Sequence, residues 1–572
     1  MAPLRRAVDR DSPDQLALEI KTVPSDDDLY SFRIANNIAE NLERAGIRAD
    51  VAPTRRANFF RDILINLDFD LYVGRHPGQS DPDFLRPFLH SAFAEEPGWQ
   101  NPFSLSNTVI DEYLETQLRD RADRGDVLAD LQETIAAETP FVPIAFEEEQ
   151  RLIRSDRLQN RLTGVPGDDP LWILQLGAVG DEDDDEAASY TIGTIDGRMT
   201  HNLNPLAVEY RGPWLDPVEL IYDPLVRRLR EEYIPWLATS WEWLSPTGAR
   251  APTLEVILRE DLTWQDESQL TAHDIVFTYR FLSDTSLDEE TDPTIPAPRF
   301  RGRTTLVDTA EAVDDRTIRL QFVETSRELA MQLLTVPILP EHVWSELSDL
   351  TEVAGIPISD VTTDALVEDN LDPVGSGPYT VTDVAPDDTL ELTTRPDHFL
   401  FRDAETREEP YRSLGRPHIR ELTFDIRPSV SNIAQAIEDG VLDATACNVG
   451  REARTSAEDT DDVEGVTWST TRLVHLGMNL RSAPFTIHGF RDAIGRLVDR
   501  TFVSEHVFDG HARPTIAPVY NTSHVPASLH WDSEDPSFVG EPGTGEVDEE
   551  RIRDLFRDAG FQYTEDGVLL AR

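Results

Sequence analysis

At 572 residues the chain is long enough for two or three lobes with large cores, and its 39% hydrophobic content with ten tryptophans excludes a disordered chain. Against 52 Lys and Arg stand 108 Asp and Glu, a formal net charge of −56, and Lys21 is the only lysine. Such a balance argues against direct nucleic-acid binding, which needs basic groups for the phosphates, and suits a solvated acidic surface in molar salt, where the Debye length is about 3 Å.

Residues 1–15 read as a flexible tail: Arg5 and Arg6 have no apolar run behind them, and no lipobox cysteine follows. Leu16, Leu18, Ile20 and Thr22 alternate with Ala17, Glu19 and Lys21, which predicts a strand over Leu16–Val23. Ile34, Ile38 and Leu42 predict an amphipathic helix over Phe32–Ala45, stopped by Gly46. Strands are expected at Ile47–Val51 and Asp70–Val73, with a short helix at Asn58–Asn66 between them. Helices follow at Val109–Leu118 and Leu128–Ala137, then strand-like runs at Pro140–Ala145 and Leu171–Leu176. Gly180–Ala188 is an acidic spacer with nothing large enough to pack. Tyr190–Ile195 is the next strand, with the loop Leu203-Asn204-Pro205 after it.

The stretch Leu254–Leu282 carries the clearest pattern. Leu254, Val256 and Leu258 alternate as in a strand, Trp264-Gln265-Asp266-Glu267 forms a turn, and Thr271 with Asp274 three residues on predicts a capping box opening a helix. Later come Gly375-Ser376-Gly377-Pro378-Tyr379, a strand and Ser-capped helix within Ile419–Ala444, a strand-like run Leu442–Cys447 whose lone cysteine is expected to be buried, the run His475–Phe485, and helices at Phe490–Asp499 and beyond Val547. One cysteine allows no intrachain disulfide. No phosphate-binding loop, zinc motif or nucleophile elbow occurs, so neither cofactor, metal nor catalytic set is expected.

The strand, Trp turn and Thr-capped helix of Leu254–Leu282 resemble a signature of the family 5 extracellular solute-binding proteins, the peptide- and nickel-binding receptors of ABC importers, with Asp266-Glu267 where the family has Asp-Gly. The blocks Leu203–Pro205, Tyr222–Leu225, Pro235–Trp241, Gly375–Tyr379 and Asn479–Phe485 match in family order. Residues 14–176 resemble the family's C-terminal portion instead, so the segments follow the family in the order 190–572, then 14–176, a circular permutation. The resemblance implies an α/β, two-lobed periplasmic-binding-protein-like fold with an extra small domain. Its lobes would be 16–138 with 475–572 (the family's C-terminal lobe), a central lobe from 139–176, 190–225 and 351–474, and a smaller domain 226–350, with 177–189 as linker.

It also implies a non-catalytic, monomeric receptor that closes by a hinge over a peptide or similar small solute and delivers it to ABC permease subunits at the cell surface. The missing export signal points the other way, to a cytoplasmic ligand sensor; a peptide-acting enzyme is a third reading. In dipeptide-binding members an Arg after the first strand holds the ligand carboxylate and an Asp before Asp-Pro-Asp holds its amine. Here the first loop is Pro24-Ser25-Asp26-Asp27-Asp28 and the second Gly74-Arg75-His76-Pro77-Gly78-Gln79-Ser80, followed by Asp81-Pro82-Asp83. Gly78 takes the Asp's place and no Arg stands in the first loop. The expected ligand-contact set is therefore Ser25, Asp26, Asp27, Asp28, Arg75, His76, Gln79, Asp81, Asp83 and Asn204. Asp26–Asp28 would attract a cationic group; Arg75 or His76 would meet an anion or sit at the cleft rim.

Overall fold

The structure is a computed structural model that describes residues 15–79, 81–119, 123–159, 177–178, 188–207, 216–229, 232–288, 294–353, 356–357, 362–401, 419–458, 460, 462–520, 523–532 and 535–571. The expected tail before Gln15, the strand 171–176 and the interior of the acidic linker lie outside these residues. The chain forms two compact units, one of residues 1–117, 122–147 and 471–572, the other of 118–121 and 148–470. Among the described residues no helix is long and apolar enough to cross a membrane.

In the first unit, β1 (Ala17–Thr22), α1 (Leu29–Arg44), β2 (Arg48–Pro53) and β3 (Leu71–His76) follow one another. β1 lies between β2 and β3, parallel to both, with Ile20 opposite Val51 and Leu71. The alternation read from sequence buries Leu16, Leu18 and Ile20, but it fails at Lys21, which is also buried and donates to Asp62 at 2.7 Å. A lysine can lie inside only when paired. α1 starts three residues earlier than its apolar face announces, because the Asp28 carboxylate caps the amides of Tyr30 and Ser31. Ile34, Ile38 and Leu42 fill the core as expected, and Gly46 ends the helix at φ +85°, where a Cβ would strike the Gly567 carbonyl.

β3 pairs on its other side with Leu473–Met478, antiparallel. β4 begins at Phe141 and runs to Arg154, far beyond the expected Ala145; its part in this unit pairs with Ala512–Pro514. The helix Glu549–Asp558 is capped by Asp548, and the Leu16 amide donates to the Leu569 carbonyl at 2.9 Å, so the first described strand adjoins the last described residues.

Among its described residues the second unit has two larger arrays of strands beside three short two-stranded pairs. Ala238–Trp243, Thr253–Leu258, Thr317–Phe322 and Val307–Asp314 form an antiparallel four-stranded sheet in that order. The helix Ala272–Ser283 packs against it through Ile275, Tyr279 and Leu282, and the expected capping box is present, Asp274 accepting from the Thr271 amide at 2.8 Å. Trp264 is buried, and its turn docks on Gly375: the Gln265 amide donates to the Gly375 carbonyl and the Gly375 amide to Gln265 Oε1. Gly375 and Gly377 lie so close to the backbone of Leu220 and Ile221 that a Cβ on either would overlap it, which explains both glycines. The other sheet orders Tyr379–Ala385, Thr389–Thr394, Ile419–Ile426, Ala188–Thr194, Ala444–Thr445 and the second half of β4. The run Leu442–Cys447 pairs only at Ala444–Thr445, while Cys447 is buried as expected.

Candidate functional site

Parallel strands send their carboxyl ends to one edge of a sheet, and the loops leaving that edge are where open α/β folds bind ligands. In the first unit this edge carries the loops after β1 and β3, together with Thr471 and Arg472, which lie inside the strand Val463–Met478 just before the part that pairs antiparallel with β3. The two segments of the sequence-derived ligand set thus end at the same edge, but Gly74, Arg75 and His76, expected in the second loop, belong to β3, which runs three residues past the expected Val73.

Its centre is a charge cluster. Arg75, at the end of β3, donates from Nε to Glu147 Oε2 at 3.0 Å and from Nη2 to Glu147 Oε1 at 3.2 Å and Asp28 Oδ1 at 3.1 Å. Its Nη1 donates to Ser31 Oγ at 2.9 Å and also pairs with Asp28. Glu147 lies 3.5 Å from Arg472 Nη2 and is only 4% exposed. Arg472 is held below the usual guanidinium range, first by burial, against the pull of Glu147, and then by the charges of Arg75 and Arg56. Tyr30, stacked on Phe508 at 4.6 Å, completes the corner; burial, then Glu147 and Asp509, push its phenol up to about 12.

The remaining sequence-derived residues divide by their partners. His76 is buried, accepts the Gly78 amide on Nδ1 at 3.0 Å, and packs on Phe88, Phe84 and Trp99. Burial and then the neighbouring His475 hold it well below the usual histidine range, so it is neutral. Asp81 caps the turn after it and takes both terminal nitrogens of Arg124; Asp83 is buried, takes two bonds from Arg86, and accepts from Gln117. Asn204, in the second unit, is buried with its amide fully used: Nδ2 donates to the Ala365 and Glu368 carbonyls and Oδ1 accepts the Leu206 amide. Ser25, Asp26 and Asp27 are exposed and Gln79 is half-buried. Gly78, which the resemblance sets against the amine-binding Asp of dipeptide-binding members, has φ +67°, and a Cβ there would run into the Thr471 carbonyl. The backbone itself excludes a side chain at that point.

Glu147, Arg472 and Tyr30 escaped the sequence reading. The available signal was the run Glu147-Glu148-Glu149-Gln150-Arg151, whose charges argue against a strand; in the structure Glu149 and Arg151 are buried and bond to each other at 2.6 Å, which lets β4 continue.

Ser376 accepts the Asp223 amide on Oγ. Both ring nitrogens of His398 are engaged, Nε2 with Asp223 at 2.9 Å and Nδ1 by the Leu400 amide, so this buried Asp–His pair presents no base to Ser376. Among the described residues no group of three or more His, Cys, Asp or Glu could hold a metal ion.

Residues 232–570, more than half of the chain, match the family described as bacterial extracellular solute-binding proteins, family 5 Middle. Relatives include a binding protein of Brucella melitensis, 23% identical over 368 residues covering 61% of this chain and 52% of the relative. The oligopeptide-binding protein AppA of Bacillus subtilis is 22% identical over 319 residues, covering 55% and 50%. The chain thus spans about half the length of the curated relatives it matches. The structure of the same AppA in complex with a nonapeptide aligns over 67% of this chain and 66% of its own, at 18% identity and a TM-score of 0.48. The chain belongs to family 5 of the bacterial extracellular solute-binding proteins.

Proposed function

We propose that this protein is the solute-binding component of an ABC import system, that it takes a peptide or similar small solute, and that it closes on that solute by a hinge motion before handing it to membrane permease subunits. The family match over residues 232–570 carries this reading. It acts outside the cytoplasmic membrane, as the family's description states of its members, and it binds without turning its solute over. Closure would shift an open–closed equilibrium, because the closed form makes more contacts with the solute. The exposed and half-exposed residues Ser25, Asp26, Asp27 and Gln79 are proposed to meet the solute directly. Arg75, Asp28, His76, Asp81, Asp83 and Asn204 are proposed to shape the binding loops through the bonds described above.

The order of segments is proposed to be circularly permuted; the contact of Leu16 with Leu569 supports this. Native mass spectrometry on protein purified in molar salt tests the function. Co-purifying peptides are expected, and a nucleic-acid fragment or covalent adduct in their place would overturn the reading. Cell fractionation tests the location, and a purely cytoplasmic pool would contradict the receptor role.

A further inference from the structure

We propose that the side-chain amide of Gln150 is a peptide-backbone contact, its Nε2 donating to one carbonyl and its Oε1 accepting one N–H. The proposal rests on the peptide-binding reading above and names the chemistry of one contact in it.

Gln150 lies in the part of β4 that belongs to the second unit. Side chains two apart on a strand share a face. Leu152 packs with Ile433, Leu442, Cys447, Val449 and Ala457, so Gln150 emerges on the face covered by the helices Val430–Glu438 and Arg451–Glu458. Its level is fixed by two backbone bonds: its own amide donates to Asn448 Oδ1 at 3.0 Å, and its carbonyl accepts the Val449 amide at 2.8 Å. That is where the second helix begins, the Arg454 amide bonding to the Gly450 carbonyl.

The residue is 2% exposed, yet among the described residues neither Nε2 nor Oε1 has a hydrogen-bond partner. A buried amide with both ends unmade pays its desolvation with no return, so such a group calls for an explanation. One donor and one acceptor on a planar amide match one peptide unit. One residue after Val449, a methyl group placed on Gly450 would meet no atom within 4 Å.

The test compares the whole protein with its Gln150→Leu variant, by calorimetric titration with a synthetic pool of unmodified pentapeptides and by thermal unfolding without peptide. Gln150→Leu should keep or raise the unfolding temperature, because an unpaired buried amide is gone, and should weaken pentapeptide binding about tenfold. Wild-type affinity in Gln150→Leu would overturn the proposal. So would a loss of stability with affinity retained, the signature of an amide tied to a structural water. Should Gln150→Leu not fold, Gln150→Met reads the same loss with the chain length kept. If the wild type itself binds no pentapeptide, the peptide-binding reading fails; if it binds and the variants bind equally, only the Gln150 contact fails.

Discussion

Replacing Arg75 by Met asks whether this arginine holds the fold or waits for a solute. Its side chain is 18% exposed and serves Glu147 and Asp28, whose side chains are 4% and 7% exposed. Removal leaves two buried carboxylates facing each other. Breaking such a pair from one side costs about 3–5 kcal/mol. The lower end applies here, because Arg472 remains 3.5 Å from Glu147 and Asp28 keeps the Tyr30 and Ser31 amides. About 3 kcal/mol in a unit of this size corresponds to a fall of roughly 6–12 °C in its unfolding temperature. Circular dichroism at fixed salt reads this directly. Arg48→Met is the control: its pair with Asp50 is at 3.6 Å with both side chains mostly exposed, and it should stay within about 0.5 kcal/mol of wild type. If Arg75→Met stays within about 1 kcal/mol of wild type while pentapeptide affinity collapses, Arg75 is a solute contact and the reasoning is wrong.

Glu267 sits at φ +68°, where the family has glycine, so Glu267→Gly should raise stability by about 0.5–1 kcal/mol in denaturant titration, the relief of strain exceeding the added chain entropy. Gly78→Ala should cost clearly more than Gly248→Ala; both glycines have positive φ, but only at Gly78 does a Cβ meet backbone, so equal losses would refute the steric account. His475 is buried and accepts or donates to Tyr72 at 2.9 Å, and burial holds it at about 4. A histidine depressed in the folded state gives stability that is present above its unfolded value near 6.5 and is lost as pH falls toward 4. Between pH 7 and 4 the wild type should lose roughly 3 kcal/mol more than His475→Gln. With a net charge of −56, raising salt from 0.1 to 2 M should raise the unfolding temperature, and a flat response would contradict the view of the surface as self-repelling. A rearranged chain joining Leu570 to Gln15 and opened within residues 179–187 should fold, since Leu16 already bonds to Leu569; failure to fold would count against the permuted order.

Local elements were legible because their signals are local. The capping box at Thr271 and Asp274, the apolar stripe of α1 and the stop at Gly46 each depend on residues within one or two turns. What escaped depends on partners distant in sequence. The apolar pattern of Pro140–Ala145 stops at Ala145, whereas β4 continues through Glu147-Glu148-Glu149-Gln150-Arg151 because Glu149 pairs with Arg151 and Glu147 with Arg75. The alternation sets Lys21 on the face opposite Leu18 and Ile20, and only Asp62, distant in sequence, lets it be buried there. The candidate site shows the same division. The two loops were found from their order along the chain, but sequence could not show that Arg75 and Asp28 would be spent on each other, or that Gly78 would be locked against Thr471.

The proposed receptor binds peptides and releases them unchanged. Calorimetric titration of the intact protein with the pentapeptide pool in molar salt, with mass spectrometry of the pool before and after, tests it most directly. The account predicts saturable binding and an unchanged pool. No binding, or cleavage of the pool by the protein, would contradict it.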